Sequence, residues 1–249
     1  MTEDPHIHVD DRSYLYGDAL FETVRVMEGG AVRWLDRHIT RLRRSGETLG
    51  YPSEPIEDAV RRLETLPDKK PGIWRVTVPR SPEGAPFGGS STITCRQRPY
   101  SEPKRPALGL AEGLYLPDDT LAAHKTTSFV RYIEARRRGE RAGFDDALLV
   151  SADGLVGEAS CANIVAVIDG RAVTPAARGI LPGVTRAGIL ELADAHREPI
   201  EVRELSLDEL RQASEIALLS AGVGVLAAAS LEGRPLAQDW TMIAQEWLP

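Results

Sequence analysis

"RGILPGVTRAGILELA", residues 178–193, is where the chain shows most plainly what it is built for. Pro182-Gly183 make a turn, Thr185 is a favoured N-cap type, and apolar Ile189, Leu190 and Leu192 follow at helical spacing. A helix that begins this way offers unpaired backbone N–H groups and the positive end of its dipole. A threonine hydroxyl beside them completes a small anion cradle. The plainer alternative is that Thr185 only caps the helix. No GxxxxGK[ST] occurs, so the cradle is not a nucleotide P-loop. "GAPFGGSS" (84–91) does not qualify either, because no lysine follows it and it lies between strands.

Upstream, "DGLVGEASCANIVAV" (153–167) places Glu158 among small and apolar residues of an extended stretch. Period-2 alternation favours a Glu158 that faces water. The small neighbours Ala159, Ser160, Cys161 and Ala162 leave room for something flat, which favours a carboxylate held inside to meet a cation. Further upstream, "HKTTSF" (124–129) sets Lys125 in a polar stretch just before an amphipathic helix. Lys125 is a solvated surface charge or an amine held for chemistry; the second needs desolvation and a lowered pKa.

Strand and helix patterns alternate over the whole chain, an α/β (α+β) class. "ALFETVRVMEGGAVRWL" (19–35) reads as two strands joined at Gly29-Gly30, followed by helices over 36–50 and 54–66 and strands at 72–78 and 91–97. "RPYSEPKRP" (98–106) is the linker, so the reading gives domains 1–97 and 107–249. With 249 residues the chain can bury a full core, and no run of 18 apolar residues predicts a membrane span. The acidic start lacks an apolar signal core, and two distant cysteines suit a reducing cytoplasm. A net charge of −7 argues against nucleic acid as partner, and the basic run 136–141 reads as a solvated helix face. His6, His8 and His38 form no metal-ligand spacing, so no metal is expected.

In order, "YGDALFETVRV" (16–26), "HITRL" (38–42), "HKTTSF", "DGLVGEASCANIVAV" and "TPAARGILPGVTRAGILELA" (174–193) resemble the class IV aminotransferases, the fold type IV pyridoxal-phosphate enzymes. That family includes branched-chain and D-amino-acid transaminases and aminodeoxychorismate lyase. The resemblance implies a small N-terminal α/β domain, a larger C-terminal domain with a barrel-like sheet, and pyridoxal 5'-phosphate between them. It implies that Lys125 links covalently to the cofactor and shuttles a proton, and that Glu158 pairs with the pyridine nitrogen. It also implies that Arg41 holds the phosphate together with Val184 and Thr185, with Ser220 and the neighbouring Ala221 on the phosphate side. A homodimer is implied as well.

For the reaction, the resemblance leaves two chemistries: loss of pyruvate from 4-amino-4-deoxychorismate, or transamination of D- or branched-chain amino acids with 2-oxoglutarate. The lyase ranks first because the chain is short and Phe21 stands where D-amino-acid transaminases carry tyrosine. Arg25 and Arg75 are candidates for substrate carboxylates and equally for cross-strand ion pairs. A non-catalytic family member is the alternative from another class. Gly17-Asp18-Ala19 departs from the family's Gly-Asp-Gly, which is expected to restrict the local turn.

Overall fold

The computed structural model describes residues 9, 11–66, 70–80 and 93–248; His6, His8 and the glycine-rich loop at 84–91 lie outside them. The chain forms two compact units, Met1–Ser101 with His124–Phe129, and Glu102–Ala123 with Val130–Pro249. The fold is mixed α+β with three sheets.

The first unit opens with the short helix α1 (Arg12–Leu15) and continues with β1 (Ala19–Val26), α2 (Leu35–Thr48), α3 (Ser53–Glu64), β2 (Gly72–Pro79) and β3 (Thr94–Arg98). The sheet order is β1-β2-β3, antiparallel, with Thr23 opposite Arg75 and Arg75 opposite Arg96. One face carries Leu20, Val24, Val26, Val76 and Val78, which pack with Ile39 and Leu42 of α2 and Ile56, Val60 and Leu63 of α3. The two strands expected over 19–35 become one strand and an isolated bridge, Val26 to Val32. Trp34 takes a left-handed φ of 52° and turns the chain straight into α2, so no second strand has room to grow. Residues 125–127 run along the outer edge of β1: Phe21 N–H donates to Lys125 O at 2.9 Å and Thr127 N–H donates to Ala19 O at 2.8 Å. Gly17, at φ +66°, lies against Ser128, where a Cβ would fall 3.0 Å from backbone. Ala19 sits as a regular, fully buried strand residue, so its place after Gly17-Asp18 restricts nothing.

The second unit has two five-stranded sheets. One, ordered β13-β12-β4-β5-β6, is built from β4 (Ala107–Glu112), β5 (Asp146–Val150), β6 (Val156–Ala159), β12 (Ser230–Leu231) and β13 (Arg234–Pro235). The other, β11-β10-β7-β8-β9, uses β7 (Asn163–Ile168), β8 (Arg171–Pro175), β9 (Glu201–Arg203), β10 (Glu215–Ser220) and β11 (Gly224–Ala227). Leu108, Leu148 and Val156 of the first sheet meet Ile164, Ile216 and Leu218 of the second in one core. The described strands make two open sheets, not a closed barrel. Helix α4 (Val130–Arg141) covers the first sheet, with Ala135 against Ala147 and Leu149. Helices α5 (Val184–Ala195) and α7 (Asp239–Glu246) cover the second through Ile189, Ala193 and Ala244. A single turn, α6 (Leu207–Leu210), carries a full capping box between Ser206 and Glu209. No described helix is long and apolar enough to cross a membrane.

Candidate active site

Lys125 is half-buried, outside any helix, after a 3-10 turn (Thr120–Ala123) and before α4. Its backbone is fixed by the β1 edge, and next to it His124 Nδ1 bonds Ser45 Oγ of α2 at 3.0 Å. The Lys125 Nζ lies 4.6 Å from the centre of the Phe21 ring. Arg75 lies over the same ring at 3.5 Å, and Phe129 meets it edge-on at 6.2 Å. The Phe21 ring thus carries both charged heads, the ammonium of Lys125 and the guanidinium of Arg75, in cation–π contact.

These residues stand on the sheet face opposite α2 and α3, the face of Phe21, Thr23 and Arg25 and of their cross-strand partners Thr77, Arg75 and Ile73. Arg25 stacks on Tyr100 at 3.4 Å. Arg75 donates from Nε to Thr77 Oγ1 at 3.2 Å; burial and then the neighbouring charge of Arg96 push its pKa down. Among the described residues no carboxylate pairs with Arg25, Arg75, Arg96 or Arg98, so the cross-strand ion pairs weighed for Arg25 and Arg75 do not form there.

Arg41 points the other way, into the helix-covered side. It gives Nε to Glu22 Oε1 at 2.8 Å and Nη2 to Glu22 Oε2 at 2.6 Å, and His38 Nδ1 meets Glu22 Oε2 at 2.7 Å. Burial alone raises the Glu22 pKa, but Arg41 and His38 outweigh it and hold the carboxyl down to about 2. The arginine fork is therefore set in one orientation by a bidentate partner.

In the second unit Glu158 is buried, 5% exposed, which overturns the solvent-facing reading. Every residue of β6 is buried, so alternation along it reaches no water. The carboxylate accepts from Tyr132 OH at 3.0 Å, from Leu181 N–H at 3.1 Å and from Asn163 Nδ2 at 3.0 Å. The Tyr132 hydroxyl titrates well above its usual range, from burial first and then the Glu158 charge.

Helix α5 starts two residues earlier than its sequence suggests. Gly183 is the N-cap, without a side-chain cap, and Val184 and Thr185 are its first helical residues, both buried. Thr185 is therefore the second helical residue and not the N-cap, and at Gly183 a Cβ would run into Asn163 Oδ1. Beneath this turn Arg186 gives Nε to Thr174 Oγ1 at 3.0 Å and Nη2 to Pro175 O at 2.7 Å. Burial lowers its pKa, and the charge of Glu158 partly offsets that. Ser220 ends β10 and Ala221 follows in the turn to β11, both half-buried.

The structure thus groups the sequence-marked residues in three sets: Lys125, Phe21 and Arg75 on one sheet face, Arg41 with Glu22 on the other, and Glu158 hydrogen-bonded to the chain that enters α5. Sequence reasoning missed Tyr132, Asn163 and Arg186. Asn163 lay inside the quoted Glu158 motif and Arg186 inside the α5 motif; nothing in the sequence marked Tyr132.

The fold matches solved structures: an aminotransferase from Brucella abortus bound to the cofactor PLP superposes with a TM-score of 0.84 at 19% identity, over 98% of this chain and 92% of that one. The family model for amino-transferase class IV matches residues 19–231, and the chain belongs to that family. Among curated relatives, the D-alanine aminotransferase of Bacillus licheniformis is 23% identical over 92% of this chain and 84% of its own. The aminodeoxychorismate lyase of Vibrio harveyi is 25% identical over 88% of this chain and 85% of its own.

Proposed function

We propose that this class IV enzyme, which works with pyridoxal 5'-phosphate, cleaves 4-amino-4-deoxychorismate to 4-aminobenzoate and pyruvate. The residues suit the cofactor. Glu158 is a buried carboxylate oriented by hydrogen bonds from Asn163 and Leu181, which suits a pyridinium partner, and the uncapped first turn of α5 suits a phosphate. When bound, the cofactor supplies the electron sink for a carbanion. Val184 and Thr185 would hold the phosphate, with Ser220 and Ala221 on the phosphate side, and Arg41, whose orientation Glu22 sets, is the arginine the family resemblance assigns to it.

The choice of substrate is carried by the arginines around Lys125. Arg75 shares the Phe21 ring with the reactive amine, Arg25 stands further along the same face, and neither has a carboxylate among the described residues. That arrangement suits an amine with two carboxylates at different distances. Aminodeoxychorismate has one on its enolpyruvyl arm and one across the ring. A branched-chain amino acid has one carboxylate and an apolar tail, which this face serves poorly.

In this reading Lys125 takes the proton from the ring carbon that bears the amine. The adjacent carbon–oxygen bond breaks, pyruvate leaves as its enol and gains a proton, and the ring becomes aromatic. A D-amino-acid transaminase is the second reading, favoured by the Bacillus relative. The enzyme acts as a homodimer in the cytoplasm, a setting that the two free cysteines, Cys95 and Cys161, suit.

The test is direct. Incubation with aminodeoxychorismate yields 4-aminobenzoate and pyruvate, while D- and L-amino acids with 2-oxoglutarate yield no glutamate. Glutamate from the second incubation, with nothing from the first, replaces the lyase by the transaminase.

A further inference from the structure

We infer that Asn163 is a positioning residue that fixes the spacing between the two ends of the cofactor site. Its one carboxamide grips the Glu158 carboxylate and seats the chain entering α5 at the same time. The inference rests on the cofactor reading above, with Glu158 at the ring end and the first turn of α5 at the phosphate end.

The geometry leaves the amide no slack. Asn163 is 4% exposed and opens β7, directly after the tight turn that follows β6. Its Nδ2 gives one hydrogen to Glu158 Oε2 at 3.0 Å and the other to Leu181 O at 2.9 Å, which uses both. Leu181 closes the loop by donating its own N–H to Glu158 Oε1 at 3.1 Å. On the other side, Asn163 Oδ1 occupies the place a Cβ on Gly183 would need, so the N-cap residue of α5 passes directly over the amide. Carboxylate, amide and the 181–183 segment therefore form one closed piece. Turning the amide breaks two buried hydrogen bonds, and lifting the N-cap off it moves the first turn of α5. A ligand that uses both ends reads the distance this piece sets; a ligand that uses one end does not.

That difference gives the test. Affinities for pyridoxal 5'-phosphate, for pyridoxal and for inorganic phosphate are measured on the purified full chain, with wild type, Asn163→Ala, the isosteric Asn163→Asp, Gly183→Ala and the double variant Asn163→Ala/Gly183→Ala. Loss of hydrogen bonds to a buried charge translates to about 10- to 100-fold weaker binding of the whole cofactor in Asn163→Ala. This drop exceeds the product of the drops for pyridoxal and phosphate taken separately. Gly183→Ala shows the same pattern, and has much less effect once Asn163 is already alanine. Asn163→Asp keeps the shape and puts a second carboxyl beside Glu158, so the visible band of the bound cofactor titrates at a shifted pH; melting midpoints confirm that each variant is folded. Three results each overturn the inference: cofactor affinity within about threefold of wild type in Asn163→Ala, fragment losses whose product equals the cofactor loss, or additive effects of the two substitutions. Where a variant does not fold, the remaining folded ones decide by the same criteria. If the wild type itself binds no pyridoxal 5'-phosphate, it is the cofactor reading that falls.

Discussion

Glu22 and Glu158 are buried to nearly the same depth, 1% and 5% exposed, yet they are met by different chemistry. Glu22 faces a guanidinium and a histidine ring on the helix-covered side of a small sheet. Glu158 is met by a phenol, a carboxamide and a peptide N–H. The first set answers a buried charge with charge, and the benefit goes into holding α2 against β1. The second set includes three neutral donors, with the charge of Arg186 also felt nearby, and on the proposed reading that carboxylate faces the cofactor's cation. Burial depth alone does not tell these two acids apart; the donors around them do.

The contrast can be broken most sharply at Lys125, the amine both readings of the reaction require. Lys125→Ala lowers turnover by about 10³-fold or more and abolishes the visible absorption of bound cofactor, read by initial rates and a spectrum. Next, Glu22→Ala leaves Arg41 buried without its bidentate partner and costs on the order of 3–5 kcal/mol in urea unfolding. Glu158→Gln lowers turnover about 100-fold or more while leaving the melting midpoint close to wild type; the contrast fails if the two variants exchange these effects.

Acid sharpens the comparison further. The Glu22 pKa falls from an ordinary 4.5 to about 2 on folding, so its contribution is fully present above pH 4.5 and is lost as pH drops toward 2. A stability–pH curve therefore loses that acid-sensitive part in Glu22→Gln. Arg75→Met raises KM about 10- to 100-fold, with little change in kcat and none or a slight gain in stability, because a half-buried cation is removed. The smallest effect belongs to the surface: Arg43→Ala breaks an ion pair whose partners are 50% and 43% exposed and changes stability by less than about 1 kcal/mol.

How far these elements could be read in advance depended on how local their causes are. The helix expected over 36–50 and the strand expected at 72–78 are written in adjacent residues and appear where expected, as Leu35–Thr48 and Gly72–Pro79. Alternation pointed Glu158 toward water, against its small neighbours and the family resemblance that put it inside, because the strand that carries it is covered by residues far away in sequence. Thr185 was misplaced by two residues, and the glycine that takes the N-cap instead is packed against Asn163, twenty residues upstream. Helix α7 went unread for a similar reason: its first turn is capped by Glu215 from β10, which accepts from Trp240 and Thr241 N–H groups at 3.0 and 3.2 Å. The open sheets of the second unit replace the barrel-like sheet because closure depends on pairings between strands, which no single strand announces.

The segment 124–129 belongs with the first compact unit although the chain reaches it only after twenty-two residues of the second. During synthesis, then, the outer edge of β1 lacks its Lys125 and Thr127 partners until that segment has left the ribosome. An expression fragment that stops at Ser101 lacks Lys125 and leaves the outer backbone of β1 bare, open to pairing with a stray strand. Anyone dissecting this enzyme into halves needs a permuted gene, not a shorter one.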